Sequence, residues 1–369
     1  MIYFDNAATS LIKPAAVERN VIRAMRTMAS PGRGGHEPSM RAAKTVFNCR
    51  EVVSDFFNVG DPTKVIFTQN ATHALNIAIF SSVRRGERVL ISGFEHNSVT
   101  RPLHALGTEL VVAGRELFNA DRMIEDVKKN IDGVKAVVCT HVSNVFGYIL
   151  PICEIADVCR KHDVPLIVDA SQSAGVLDVD FQRLNAAYIA MPGHKSLFGP
   201  QGTGILLCGR EAEPLLYGGS GSDSRSQTMP EVLPERLEAG TANVCGIAGL
   251  MAGIEYIREK GRENILRHEK TLLDRMTQEL EDVPGIRLFH SEKDDQCGVL
   301  SFTVNGQSSE SFAEKLSENG VCVRPGLHCA PIAHESAGTL QTGTVRLSFS
   351  PFNTEDEVEH AAEFIRKMI

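Results

Sequence analysis

Apolar residues recur along this chain with two different periods, and the switches between them mark out its elements. A helical stripe comes first: Pro14 opens it, and Val17, Val21, Met25 and Met28 predict a helix packed on a core. Ser30-Pro31-Gly32-Arg33-Gly34-Gly35-His36 reads as a loop, and a helical stretch follows through Val46 to about Phe57. Short β-branched runs then alternate with helical stretches. Strands are expected at 64–68, 88–92, 136–140, 165–169 and 186–190, with helices from about Ala71 and over 155–162. Residues 202–208, rich in Ile and Leu, add another buried strand. Alternation of this kind requires crossover connections, which predicts an α/β fold with a mainly parallel sheet and helices on both faces.

The loop Gly218-Gly219-Ser220-Gly221-Ser222-Asp223-Ser224 interrupts this pattern, and beyond about Gly246 the pattern changes character. A long polar helical stretch over about 247–283 leads to strands at 298–304 and 321–324, with a helix over 311–318 between them. The last strand is 344–350. Thr354-Glu355-Asp356-Glu357 forms a capping box, and the helix it opens carries the stripe Val358, Ala362, Ile365 and Ile369. These elements predict a smaller α+β domain at the C-terminal end. No internal repeat is visible.

Composition narrows the function. With 369 residues, 43% of them hydrophobic, the chain can bury a sizeable core. A net charge of −8 argues against binding to polyanions, so no nucleic-acid partner is expected. The N-terminal stretch has no charged segment leading into an apolar one, and no apolar run approaches the ~20 residues that span a bilayer, so a cytoplasmic protein without membrane contact is expected. Nine cysteines without a C-x-x-C pair do not form a disulfide framework. Cys139, Cys153, Cys159 and Cys208 lie in apolar periodic segments and read as small buried hydrophobes. Cys329 differs: it sits in Arg324-Pro325-Gly326-Leu327-His328-Cys329-Ala330-Pro331, a loop whose His and Arg can favour a thiolate.

The chemistry concentrates at the ends of two expected strands. Leu166-Ile167-Val168-Asp169 ends in a carboxylate, and Ala187-Tyr188-Ile189-Ala190 runs into Met191-Pro192-Gly193-His194-Lys195. Open α/β sheets bind ligands at such strand ends. Pyridoxal phosphate (PLP) needs both groups at once, a lysine for its aldehyde and a carboxylate for its ring nitrogen. A surface lysine and an unrelated strand-end Asp are the plain alternative, against which the flanking Gly193, His194 and Gln172 weigh. Thr68-Gln69-Asn70-Ala71-Thr72-His73-Ala74 joins a strand to a helix, and a helix N-terminus with a hydroxyl nearby is an anion site. Thr72 and the amides from Ala71 onward suit a phosphate, although helix capping by Asn70 or Thr72 uses the same geometry. Arg346 lies on an apolar strand and must reach solvent or find an anion.

In order along the chain, the segments around Asn144, Asp169 to Gln172, Gly193-His194-Lys195, Arg236 to Thr241 and Leu327-His328-Cys329-Ala330 resemble the signatures of the class V aminotransferase superfamily. The chain is most similar to the cysteine desulfurases, in particular the group related to selenocysteine lyase, from Tyr3 to Thr354. The resemblance implies PLP fold type I, with a mainly parallel seven-stranded sheet in a large domain (14–255) and a small α+β domain (1–13 and 256–369). It further implies that Lys195 holds the cofactor and moves protons, Asp169 keeps the pyridine nitrogen protonated, and Gln172 bonds the phenolate oxygen. His96 would stack on the ring and keep a nitrogen for proton transfer to sulfur. His194, and Thr241 from a partner subunit, would help Thr72 with the phosphate. Arg346, supported by Asn144, would clamp the substrate carboxylate, with Arg324 a weaker candidate for the same pocket.

Three departures from the family pattern stand out. Ala71 replaces a common Thr, and Pro192 stands where a phosphate-binding Ser is usual, which implies weaker cofactor retention. Residues 333–339 also differ and leave substrate choice and sulfur acceptor open. The expectation is a homodimeric PLP enzyme that turns L-cysteine into L-alanine, with Cys329 taking the sulfur as a persulfide for an acceptor protein. No metal ligand enters the site. Rival readings are a selenocysteine lyase, β-lyase or aminotransferase on the same cofactor, and a non-catalytic scaffold that binds a sulfur carrier. A dinucleotide-binding oxidoreductase would want a G-x-G-x-x-G that the chain lacks after an early strand.

Overall fold

The computed structural model describes residues 1–32, 34–221 and 225–369. Arg33 of the first expected loop, and Ser222, Asp223 and Ser224 of the Gly- and Ser-rich one, lie outside the described residues. Strand β1 (Ile2–Tyr3) precedes helices α1 (Ala15–Thr27) and α2 (Glu37–Phe56). An alternating series follows: β2 (Val65–Thr68), α3 (Ala71–Ser82), β3 (Arg88–Ser92), α4 (Asn97–Ala105), β4 (Glu109–Ala113), α5 (Ala120–Asn130), β5 (Ala136–Thr140), α6 (Ile152–Lys161), β6 (Leu166–Asp169), α7 (Phe181–Leu184), β7 (Tyr188–Pro192) and β8 (Gly204–Cys208). Two long helices, α8 (Val244–Lys260) and α9 (Arg262–Leu280), lead to β9 (Ile286–Phe289), β10 (Val299–Val304), α10 (Ser309–Glu318), β11 (Val321–Cys322), β12 (Arg324–Gly326), α11 (Pro331–Ala337), β13 (Thr344–Ser348) and α12 (Glu355–Lys367).

The large sheet has seven strands in the order β2-β8-β7-β6-β5-β3-β4. All neighbours run parallel except β8, which is antiparallel to both β2 and β7. Successive residues of each inner strand enter different cores: Leu166 and Val168 one, Ile167 the other; Ile189 and Met191 one, Tyr188 and Ala190 the other. Burial on both faces explains why these strands read as continuous apolar runs. The second sheet is antiparallel, in the order β12-β13-β10-β9. With α9, α10 and α12 it encloses a third core around Leu272, Phe302, Phe312, Leu347 and Ile365, which Phe4 joins from the N-terminal end. β1 pairs with β11, so the first residues of the chain belong beside the last elements.

Several elements differ from the sequence reading. The expected stretch over 247–283 is two helices, because Gly261, at φ +81°, ends α8 and starts α9. The run 321–324 is likewise two strands, β11 on β1 and β12 on β13. α6 begins at Ile152, directly after Pro151, earlier than expected. In α1, Val17 and Ala24 are buried but Met25 is exposed, so the packed line is narrower than the apolar stripe. At the other end Ile369 lies past α12 and is exposed, whereas the capping box of Thr354 and Glu357 forms as expected. Cys139, Cys159 and Cys208 are buried, and Cys153 half so.

α8 packs against α1 and α2, and against the turn that follows β7. A Cβ on Gly253 would lie 2.2 Å from the Leu197 carbonyl oxygen, so glycine is what allows the helix this close. Overpacking a backbone-to-backbone contact costs ~1–3 kcal/mol. Gly253→Ala should therefore lower stability by about that amount, measured as a reduced midpoint of urea unfolding. An unchanged midpoint would mean that the turn after β7 is free to move.

Candidate active site

β6 and β7 are adjacent and parallel, with Asp169 opposite Ala190, so the end of one strand and the turn leaving the other lie side by side. The chain leaves β7 through Gly193 and returns as β8 without a crossover helix, which is possible because β8 is antiparallel. Gly193 donates to the Thr203 carbonyl at 2.8 Å and its own carbonyl accepts from Gly199 at 2.7 Å. A Cβ there would lie 2.2 Å from Thr203 Oγ1. The N-terminal segment clasps the same turn: Ser10 N, Ser10 Oγ and Thr9 Oγ1 all donate to the His194 carbonyl, at 3.2, 3.1 and 3.2 Å.

Lys195 Nζ makes no hydrogen bond among the described residues. Burial lowers its ammonium to about 8; Asp169 opposes the shift, and Arg346 and Arg324 add to it. Buried Asp169 accepts from Ser171 N at 2.9 Å. Gln172 donates through Nε2 to the Ala7 carbonyl at 3.0 Å. His96 caps α4: its Nδ1 accepts from Ser98 N at 3.0 Å, so in the neutral ring the proton sits on Nε2. Burial lowers His96 to about 4, against the pull of Asp169, which keeps it neutral near pH 7. His194, whose Nδ1 is 3.0 Å from Thr9 Oγ1, is lowered to about 4 by burial, Lys195 and Lys13.

Across the cavity, the α3 N-terminus is capped by Asn70, whose Oδ1 accepts from His73 N at 2.9 Å. Thr72 is therefore not the cap, and its Oγ1 lies 2.8 Å from Ser98 Oγ. The amides of Ala71 and Thr72, in the first turn, have no intrahelical acceptor. From the small sheet come two arginines. Register places Arg324 of β12 opposite Arg346 of β13, and directly opposed residues share a face. Arg346 is 2% exposed; its Nη2 donates to Asp5 Oδ1 at 2.7 Å and its Nη1 to the Asn144 carbonyl at 2.9 Å. The anion that the buried arginine finds is thus Asp5.

Cys329 is exposed on a turn held from both sides. Its carbonyl accepts from Asn97 N at 2.7 Å, and the His328 carbonyl accepts from Asn144 Nδ2 at 2.9 Å. His328 and Cys329 have φ of +49° and +56°, a left-handed pair of non-glycine residues that costs about 1 kcal/mol or more each. Strain of this kind persists only where surrounding contacts impose it, as the two carbonyl bonds do here.

One cavity of about 210 Å³ is lined by Ala71, Thr72, His96, Asn144, Asp169, Gln172, His194, Lys195, Arg324, Cys329 and Arg346. Of the residues singled out from sequence, Thr241 alone is elsewhere: it is exposed in a larger cleft of about 940 Å³ with Gly240, Phe67 and Arg50. Sequence reasoning missed three neighbours. Ser98 connects His96 to Thr72, and its signal was only a hydroxyl in the first turn of an unread helix. Buried Glu95 accepts from Ser92 Oγ and from Thr140 N, and burial raises it to about 8; an acid soon after an apolar strand was the available clue. Asp5 carried no local signal at all.

The arrangement suits a group with an aldehyde, a basic ring nitrogen and a phosphate. A lysine amine without a hydrogen-bond partner, a buried carboxylate and unpaired helix-terminal amides face one another across the cavity. The family profile described as aminotransferase class-V matches residues 2–360. A protein of Pyrococcus abyssi named probable cysteine desulfurase is 34% identical, with 97% of this chain and 92% of the relative covered. A probable cysteine desulfurase of Methanothermobacter thermautotrophicus is 31% identical over 100% and 94% of the two chains. The apo structure of a cysteine desulfurase from Thermococcus onnurineus superimposes with a TM-score of 0.91 at 31% identity, covering 100% of this chain and 94% of that one. A profile match from the first strand to the last helix, joined to a lysine and an aspartate at adjacent ends of a fold type I sheet, makes this chain a member of the class V aminotransferase family.

Proposed function

We propose that the chain is a PLP-dependent cysteine desulfurase that converts L-cysteine to L-alanine and carries the sulfur as a persulfide on Cys329. The observation that carries this reading is the placement of Cys329: a strained, tethered turn presents a thiol to the cavity that Lys195, Asp169 and Arg346 also line. A plain aminotransferase needs no such thiol. The names of the relatives and of the Thermococcus structure support the same activity.

Lys195 would hold the cofactor, Asp169 its ring nitrogen, His96 its ring face and Gln172 its phenolate oxygen, while Thr72, His194 and the amides from Ala71 take the phosphate. When bound, the cofactor supplies an electron sink that makes the substrate α-proton acidic and its sulfur open to attack. Burial suits Lys195 to base chemistry, since a lowered ammonium releases its proton readily. Lys195 takes the α-proton and later returns a proton to the alanine carbon. Arg346 and Arg324 receive the substrate carboxylate, with Asn144 fixing the guanidinium of Arg346 through its carbonyl. The Cys329 thiolate attacks the substrate sulfur; the new S–S bond forms as the C–S bond breaks, and the carbon keeps the electron pair.

The same reading takes the chain as a homodimer in the cytoplasm, passing sulfur to an acceptor protein. Among the described residues no helix is long and apolar enough to cross a membrane. Dimerisation is supported by Thr241, exposed and outside the lining of its own chain's cavity, and by the exposed Phe47 and Leu216, which line the same cleft as Thr241. Apolar side chains exposed together at one cleft suit a covering partner. Division into 14–255 and 1–13 with 256–369 is supported by the separate core around Phe302 and Leu347 that Phe4 joins.

Four outcomes are expected. Purified protein should absorb visible light as the lysine-bound cofactor does, and Lys195→Ala should lose that band. For protein stripped of cofactor, the rate of reloading should rise with pH and level off above about 8, as the Lys195 amine becomes neutral; a reducible bond mapped to another lysine would refute the assignment. Cys329→Ala should keep the cofactor band and its response to cysteine, while alanine and sulfide release fall by orders of magnitude. Selenide release from selenocysteine should fall less, the selenium–carbon bond being weaker, and unaltered sulfide release would overturn the persulfide reading. Lastly, mixing inactive Lys195→Ala chains with chains inactivated at Thr241 should restore activity through one intact site per heterodimer, whereas a fully active monomer in sedimentation would exclude the shared site.

A further inference from the structure

Arg346 and Arg324 present two like charges from directly opposed positions on neighbouring strands, an arrangement that destabilises a sheet unless an anion sits with it. The Arg324 side chain makes no hydrogen bond or ion pair among the described residues. Arg346 has both, and its ion-pair partner is Asp5. Asp5 is not among the residues that line the cavity, whereas both arginines are. Backbone pairing fixes this position. The Phe4 carbonyl accepts from Ser348 N at 2.7 Å, Asn6 Nδ2 donates to the Ser348 carbonyl at 2.9 Å, and Tyr3 Oη donates to the Asp5 carbonyl at 3.2 Å. Ser348 follows Arg346 by two residues on β13, so the N-terminal segment is sewn to the strand that bears the arginine.

We propose that Asp5 is a positioning residue that stands in for the substrate carboxylate: it holds Arg346 oriented and neutralised before substrate arrives, and its charge then limits how tightly a carboxylate binds. The proposal rests on the reading that Arg346 receives that carboxylate. A guanidinium has five N–H donors, and Asp5 and the Asn144 carbonyl occupy one each, which leaves donors for a second anion. Two carboxylates on one buried guanidinium repel each other, so removing one charge strengthens the hold on the other. It also leaves a buried cation unpaired, which destabilises the empty protein until an anion enters. Tighter binding and lower stability therefore come from a single change, a combination that loss of a merely structural contact would not produce.

The test uses the cofactor-loaded protein and 3-mercaptopropionate, which has the carboxylate and thiol of cysteine without its amine. In calorimetric titration, Asp5→Asn and Asp5→Ser should each bind it about tenfold more tightly than the parent. Both should melt at lower temperature alone and recover most of the loss at saturation, while Asp5→Glu, which keeps the charge, shows no such gain. Equal or weaker binding with the same melting deficit at all ligand concentrations would overturn the proposal. So would failure of both uncharged variants to fold at saturating ligand, because the bound carboxylate would have supplied the missing charge. The double variant Asp5→Asn/Arg346→Gln, with no unpaired buried charge, separates the two layers of the argument. Undiminished binding there would refute Arg346 as the carboxylate site; loss there with unaltered binding in Asp5→Asn would refute the role of Asp5 alone.

Discussion

Parallel hydrogen bonding between β6 and β7 puts the end of one strand against the exit of the other, and the chemistry of the cavity depends on that adjacency. Asp169 ends β6 and Lys195 lies on the turn after β7, so neither needs a long loop to reach its place. The strands themselves are held by burial on both faces, with alternate residues in separate cores. Everything around them serves to close the turn. Gly193 and Gly253 remove the Cβ atoms that would keep β8 and α8 away, and Thr9 and Ser10 bind the carbonyl before the lysine.

The second constraint is a buried charge. A guanidinium that is 2% exposed needs compensation, and breaking a buried pair typically costs ~3–5 kcal/mol. Compensation comes from residues at the far end of the chain. Because Asp5, Ala7, Thr9 and Ser10 reach respectively Arg346, Gln172 and the Lys195 turn, the N-terminal segment joins the small sheet to the large one. The cavity is thus assembled from both sheets and from the segment that ties them.

Legibility in the sequence followed the range of the interactions. Asp169, Lys195 and the α3 N-terminus were readable because each is a local pattern: an apolar run that ends in a chemical group, or a strand that turns into a capped helix. Arg346 announced itself as a charge on an apolar strand. Its partner did not, because Asp5 lies 341 residues away and nothing near it is unusual. The left-handed turn at Cys329 was equally silent, since the residues that adopt it are His328 and Cys329 and not glycine. β4 escaped because it is a sheet-edge strand with a half-exposed face, and the break at Gly261 because helical polarity continues on both sides of it. Thr241 matched a motif, yet its own chain gives it no place in the cavity.

The short tethers on the Cys329 turn have a logistical meaning. With its own carbonyl on Asn97 and the preceding one on Asn144, the segment is pinned at two consecutive residues. A sulfur atom loaded on that thiol would stay at the rim where it was received. Delivery would then fall to the recipient, which would have to come to the thiol. Sulfur would change hands by visit, not by dispatch.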